Sequence, residues 1–294
     1  MAKKSSWNPI AFVPAQVTII SSAVYIALFA VLLWVHLSVP SAPSDPTPLP
    51  GLNLTQAWLD LDFITDGYHP IDSARNDKVR EYLVQRIEEI LDHNGQDYKV
   101  VGSEAYELSA ETGKNVSSKA VTLFAQDSSN ATFIGGGQEQ PWTCYGESQN
   151  VLVYIRGKQD AAGDWWEEGR GYDGQSGVLV NAHYDSVASG YGATDDGVGV
   201  VTVMQLISYF TSEGNQPDRG IVALLNNGEE NGLYGAQNYL RHPMSQFAHT
   251  FLNLEGAGAG GRAVLFRSTD AEVTSFYSNS PYPTGSAVIG DGEI

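Results

Sequence analysis

Apolar residues in the second half of the chain come in short continuous runs separated by longer amphipathic stretches. Residues 178–182, 221–226 and 250–254 read as strands, 198–210 and 233–241 as helices between them, and 262–267 as a fourth strand of the series. Strands that are apolar throughout and alternate with helices are buried on both faces. The pattern predicts an α/β fold, a mostly parallel mixed sheet with flanking helices. Ligands of such sheets gather at the carboxyl ends of the strands.

The first half is less regular. Val79, Leu83, Ile87, Ile90 and Leu91 recur at three- and four-residue steps with charges between them, which predicts an amphipathic helix over 73–92, closed by Asn94-Gly95. Residues 121–125, 131–134 and 150–156 are further strand candidates, and 52–72 reads as irregular. The glycine- and acid-rich stretch 157–177 reads as an exposed loop whose Trp165 and Trp166 pack onto their own domain.

At the N-terminus, 17–39 has no acidic or basic side chain except His36 and is long enough to cross a bilayer as a helix. No cleavage pattern follows it. Lys3 and Lys4 precede it and acidic chain follows, so the positive-inside rule puts the N-terminus in the cytosol. The expected organisation is a cytosolic tail (1–16), a transmembrane signal anchor (17–39), a Pro-rich spacer (40–51) and a lumenal domain (52–294). Glycosylation sequons at Asn53, Asn115 and Asn130 agree with a translocated domain.

Composition narrows the partners. The net charge is −18 with only 16 Lys and Arg in 294 residues, which argues against nucleic acid. The one cysteine, Cys144, has no intrachain disulfide partner.

Acidic residues cluster where the predicted parallel strands end. His183 and Asp185 follow the first, Asp195 and Asp196 lie at the next loop-to-helix turn, Glu229 and Glu230 follow the second, and Glu255 follows the third. A parallel sheet brings these clusters to one edge. Two like charges about 4 Å apart repel by about 4 kcal/mol at intermediate dielectric, so such crowding calls for a cation. The His183 nitrogen suits zinc better than calcium or magnesium, which prefer all-oxygen shells. Adjacent Glu229 and Glu230 point to opposite sides on extended backbone, so one of them can bind metal while the other serves as general base.

The stretches "NAHYDSVASGYGATDDGVG", "NNGEENGLYGAQ" and "NLEGAGAGG" resemble the co-catalytic zinc aminopeptidases, and most of all their fungal branch of vacuolar membrane proteases. The resemblance runs from about residue 54 to the end. It implies a two-zinc, aminopeptidase-type hydrolase acting on peptides, held in the vacuole membrane with its peptidase domain lumenal. It makes His183 and Glu255 ligands of one zinc, Asp195 the bridge, Glu230 a ligand of the other zinc and Glu229 the general base. Asp185 becomes the acid that orients His183. The resemblance also implies a further histidine ligand downstream, but no histidine follows Glu255. The fungal branch continues into a multi-pass membrane region, so the expectation is an N-terminal part with the peptidase domain incomplete at its C-terminus. A glutaminyl cyclase-like acyltransferase and a catalytically silent domain are the alternatives.

Two decoys drop out. The run 256–261 satisfies G-x-G-x-x-G but is followed by a strand pattern, where a dinucleotide site needs a helix. Neither H-E-x-x-H nor G-x-S-x-G occurs.

Overall fold

A computed structural model describes residues 14–102, 119–125, 130–135, 142–161, 163–168, 177–256 and 261–285. The chain divides into two units, one of 43–259 and one made of 1–42 and 260–294.

The larger unit is built on a six-stranded mixed sheet in the order β1-β2-β5-β7-β6-β8. Its strands are β1 (Tyr98–Val101), β2 (Val121–Phe124), β5 (Val151–Ile155), β6 (Gly177–His183), β7 (Ile221–Asn226) and β8 (Ala248–Asn253). The pairs β1–β2, β7–β6 and β6–β8 are parallel, while β2–β5 and β5–β7 are antiparallel. Strands β3 (Asn130–Gly135) and β4 (Trp142–Glu147) form a separate antiparallel hairpin. The mixed α/β class expected from the sequence is the one observed.

Side chains alternate across the central strands, so both faces are covered. Val151, Val153 and Ile155 of β5 and Ile221, Ala223 and Leu225 of β7 join one core cluster. That cluster is filled from α2 (Leu54–Ile64), α3 (Ala74–His93) and α4 (Val198–Thr211) by Ile64, Val79, Leu83, Ile87, Val203 and Met204. Leu152, Tyr154, Val222 and Leu224 face the opposite cluster, closed by Trp166, Met244 and Phe247 and by Tyr239 of α5 (Tyr234–Tyr239). This double burial is why β5 and β7 read as unbroken apolar runs.

Several sequence expectations need correction. Part of 52–72, expected to be irregular, is helix α2, capped by the Asn53 side chain, which accepts from the Gln56 N–H at 3.0 Å. Its inward face carries Asp60 with Ile64, and a buried carboxylate on that face hides the apolar period. Asp60 accepts from Tyr82 Oη at 2.7 Å and Arg86 Nε at 3.1 Å on α3. The start of the 157–177 loop is exposed only at Lys158 and Gln159. Asp160 accepts from the Tyr154 hydroxyl and the Gly220 N–H, Asp164 pairs with Arg156 and Lys99, and Trp166 is buried. The helix expected over 233–241 is only Tyr234–Tyr239, and β1 and β4 were not anticipated.

In the smaller unit, α1 (Pro14–Leu37) has no buried residue and is long and apolar enough to cross a membrane. The other helix is α6 (Ala271–Tyr277), capped by Asp270. The strand expected over 262–267 is absent. Leu265 makes an isolated bridge with Gly285, and among the described residues no strand forms a ladder with the run.

Candidate metal centre

Strands β7, β6 and β8 lie side by side and parallel, so their carboxyl ends share one edge of the sheet. His183 is the last residue of β6, Glu229 and Glu230 follow β7, and Glu255 follows β8. The turn entering α4 supplies Asp195. Gly256 lets the loop carrying Glu255 approach that turn, because a Cβ there would lie 1.8 Å from the Thr194 carbonyl oxygen.

His183 is the buried centre of the group. Its Nδ1 lies 3.0 Å from the Asp185 backbone carbonyl, so Nδ1 donates there and Nε2 is the nitrogen left to face a metal. Its Nε2 then points at Asp195 Oδ1, 3.1 Å away, and Glu255 Oε1, 3.3 Å away. His183, Asp195 and Glu255 offer three ligand atoms within 4.8 Å of one another, and so do His183, Glu229 and Glu230. One aromatic nitrogen among carboxylate oxygens, with its outer nitrogen held by a carbonyl, is a donor set that fits zinc.

The electrostatics without a metal show the strain of this crowding. Burial opposes charge on His183, but hydrogen bonding to Asp185 and Glu255 and the surrounding negative charge outweigh it and push its pKa up to about 12. Burial raises the Glu229 carboxyl, with His183 opposing and Glu255 and Glu230 adding to the rise. Burial likewise raises Glu230, reinforced by Asp195. Burial opposes charge on Glu255, but its contact with His183 and hydrogen bonds from the Gly256 N–H and the Asn253 side chain together lower its pKa.

Asp185 does more than the sequence suggested. Its carbonyl orients His183, while its carboxylate, fully buried, accepts from the backbone N–H groups of Glu229 at 3.1 Å and Glu230 at 3.2 Å. One residue therefore connects the histidine on β6 to the glutamates after β7. Asp196, next to Asp195 across a cis peptide bond, turns inward and accepts from the His183 and Gly199 N–H groups.

Sequence reasoning gave no role to His69, Asn76, Ser186 and Asn227, buried polar residues behind these loops. Ser186 and Asn227 lie within the quoted motifs, while His69 sits in a turn-like run, "DGYHP", ahead of α3. His242 accepts from the Met244 N–H as a cap, and His249 is exposed on β8. Of the sequon asparagines, Asn53 and Asn130 are exposed, and Asn115 lies outside the described residues.

The structure is thus a mixed α/β sheet with a histidine–carboxylate cluster at its parallel strand ends. Residues 166–292 match Peptidase family M28. The chain is similar to a vacuolar membrane protease of Sclerotinia sclerotiorum, 49% identical across 97% of this chain and 30% of the relative. It is similar to one of Aspergillus niger, 54% identical across 97% of this chain and 28% of the relative. The resemblance carried by the three motifs thus extends over nearly the whole chain, which itself spans about three tenths of the length of these relatives. Among solved structures, LapB from Legionella pneumophila shares the fold, with a TM-score of 0.54 at 15% identity over 87% of this chain and 62% of that one.

Proposed function

We propose that this chain carries the zinc-binding and catalytic part of a membrane-anchored peptide hydrolase that removes residues from peptide N-termini. The observation that supports it most is His183 Nε2 facing both Asp195 and Glu255, with Glu229 and Glu230 alongside. The M28 match and the relatives named as proteases point the same way.

In this reading His183 and Glu255 would hold one zinc ion, Glu230 would hold a second, and Asp195 would serve both. Zinc, when bound, supplies Lewis acidity at the scissile carbonyl. Glu229 is the general base: half-buried, with its carboxyl raised by burial, it takes a proton from the attacking water and passes it to the leaving amine. The Asp185 carboxylate holds the Glu229 and Glu230 backbones in a bend, so a carboxylate oxygen of each lies within 4.8 Å of the other and of His183, not on opposite sides as extended backbone would put them. The negative surroundings suit a substrate that presents a protonated α-amine.

Helix α1 is the anchor in this scheme, and the peptidase domain lies in the vacuolar lumen with N-linked glycans at Asn53, Asn115 and Asn130. The apolar length of α1 and the membrane setting in the relatives' name support the anchor.

The deciding experiment compares wild type with Glu229→Gln, scoring release of free amino acid from an unblocked peptide alongside zinc content by elemental mass spectrometry. The expected outcome is a loss of kcat of about 10²-fold or more with zinc retained. Undiminished turnover in the variant removes Glu229 from its role. Cyclisation of an N-terminal glutaminyl peptide in place of amino-acid release would assign the chain to the acyltransferase alternative.

A further inference from the structure

Behind the carboxylate cluster, a strap made by the loop between α2 and α3 joins the two strand ends that carry the proposed machinery. Towards β6, the His69 N–H donates to Ser186 Oγ at 3.0 Å and the Ser186 N–H donates back to the His69 carbonyl at 3.3 Å. Towards β7, the loop delivers Ile71 and the start of α3 delivers Asn76. Ile71 packs on Gly228, where a Cβ would lie 2.5 Å from the Ile71 Cδ1 and φ is +82°, so the contact requires glycine. Asn76, on the first turn of α3, forms a reciprocal amide pair with Asn227. Asn76 Nδ2 donates to Asn227 Oδ1 at 3.0 Å, and Asn227 Nδ2 donates to Asn76 Oδ1 at 2.9 Å.

Every amide proton of the pair has a partner. Asn76 Nδ2 also donates to the His69 carbonyl at 3.1 Å, and Asn227 Nδ2 to Gln149 Oε1 at 2.7 Å. The Asn227 N–H is taken by Asn150 Oδ1, whose own Nδ2 donates to the Gly235 carbonyl. Asn76 is 0% and Asn227 2% exposed, so a broken bond here leaves a polar group without water. Asn227 lies two residues before Glu229, and the His69 carbonyl is shared between Asn76 and Ser186, three residues past His183. Asn76 is therefore bonded towards both strand ends at once.

We infer that Asn76 is a positioning residue: its amide pair with Asn227 fixes the backbone that carries Glu229 and Glu230 relative to His183. The inference rests on the peptidase reading for its kinetic consequence, but its structural content stands without it. Displacing a reacting group by about 1 Å costs on the order of 10²-fold in rate. Loss of the pair should therefore appear in kcat while substrate binding and metal retention stay close to wild type.

The test uses the full chain and Asn76→Ala, with Asn76→Ser as the milder change should the alanine variant not fold. Amide hydrogen exchange of the peptide containing 227–230 is measured on the zinc-free protein and needs neither metal nor substrate. Faster exchange there, with exchange over β5 and the C-terminal half of α3 unchanged, is the expected result. With zinc and peptide substrate, kcat is expected to fall about 10-fold or more with KM and zinc content changed less than about two-fold. Asn76→Ala combined with Asn227→Ala should cost no more than either alone, because the two act as a unit. Unchanged exchange over 227–230, or unchanged kcat in an active, folded variant, overturns the inference. A wild type that releases no amino acid refutes the peptidase reading instead, and the exchange result then decides the strap alone.

Discussion

Asp195 and Asp196 are chemically identical neighbours whose surroundings divide their work. Asp195 keeps a side chain 34% exposed and faces His183 Nε2. Asp196 is buried, accepts from two backbone N–H groups, and has a pKa raised to about 8, chiefly by desolvation, with His183 opposing and Glu255 adding to the rise. Its folded pKa lies above its ordinary value of 3.8, so between those values the folded state holds a proton that the unfolded chain releases. The stability this contributes is complete below a pH of about 4 and is lost as pH rises through about 8. In the zinc-free protein, Asp196→Asn is therefore expected to flatten the fall of Tm between those pH values, measured by calorimetry. Parallel curves for wild type and variant would remove burial as the cause. That an acidic pair stood beside a strand end was legible in the sequence. Local pattern did not say which member faces the cluster, because that depends on the turn's path against β6 and the start of α4; only the family resemblance pointed to Asp195.

At the scale of elements, the sequence was most legible where burial is one-sided or complete. Helix α3 runs Ala74–His93 against the expected 73–92, with Ser73 as its cap, and β7 matches its expected bounds. Legibility failed where the buried face includes polar groups. α2 turns Asp60 inward, and the start of the 157–177 loop is held by Asp160 and Asp164 through Tyr154, Arg156 and Lys99. Such segments read as surface until their partners are known. The consequence of complete burial is measurable on α3. Leu83 is 0% exposed in the core between α3 and the sheet, so Leu83→Ala should lower unfolding stability by about 2–5 kcal/mol, read from urea or thermal unfolding. A loss well under 1 kcal/mol would mean that this face is not packed as described.

At the scale of the whole molecule, the orientation proposed for the chain can be tested through its sequons. Asn53 and Asn130 are exposed, and Asn53 uses its Oδ1 as a helix cap, which leaves Nδ2 accessible for a glycan. Expression in a eukaryotic secretory pathway should give a chain whose gel mobility shifts on endoglycosidase treatment, with one glycan fewer in Asn53→Gln. A chain that stays unshifted would place the domain on the cytosolic side. By itself the sequence determined the apolar α1, the alternating strands and helices, and the acidic residues at the strand ends, because each is written in local periodicity and side-chain chemistry. Only the tertiary structure decided that β7, β6 and β8 are neighbours, that β5 runs antiparallel between β2 and β7, and that Asp185 and the Asn76–Asn227 pair connect loops far apart in the chain. Those facts depend on non-local strand pairing and on buried hydrogen bonds whose partners lie up to 151 residues apart. No local pattern encodes such a partner: a buried asparagine and an exposed one look alike until the fold brings the other amide to it.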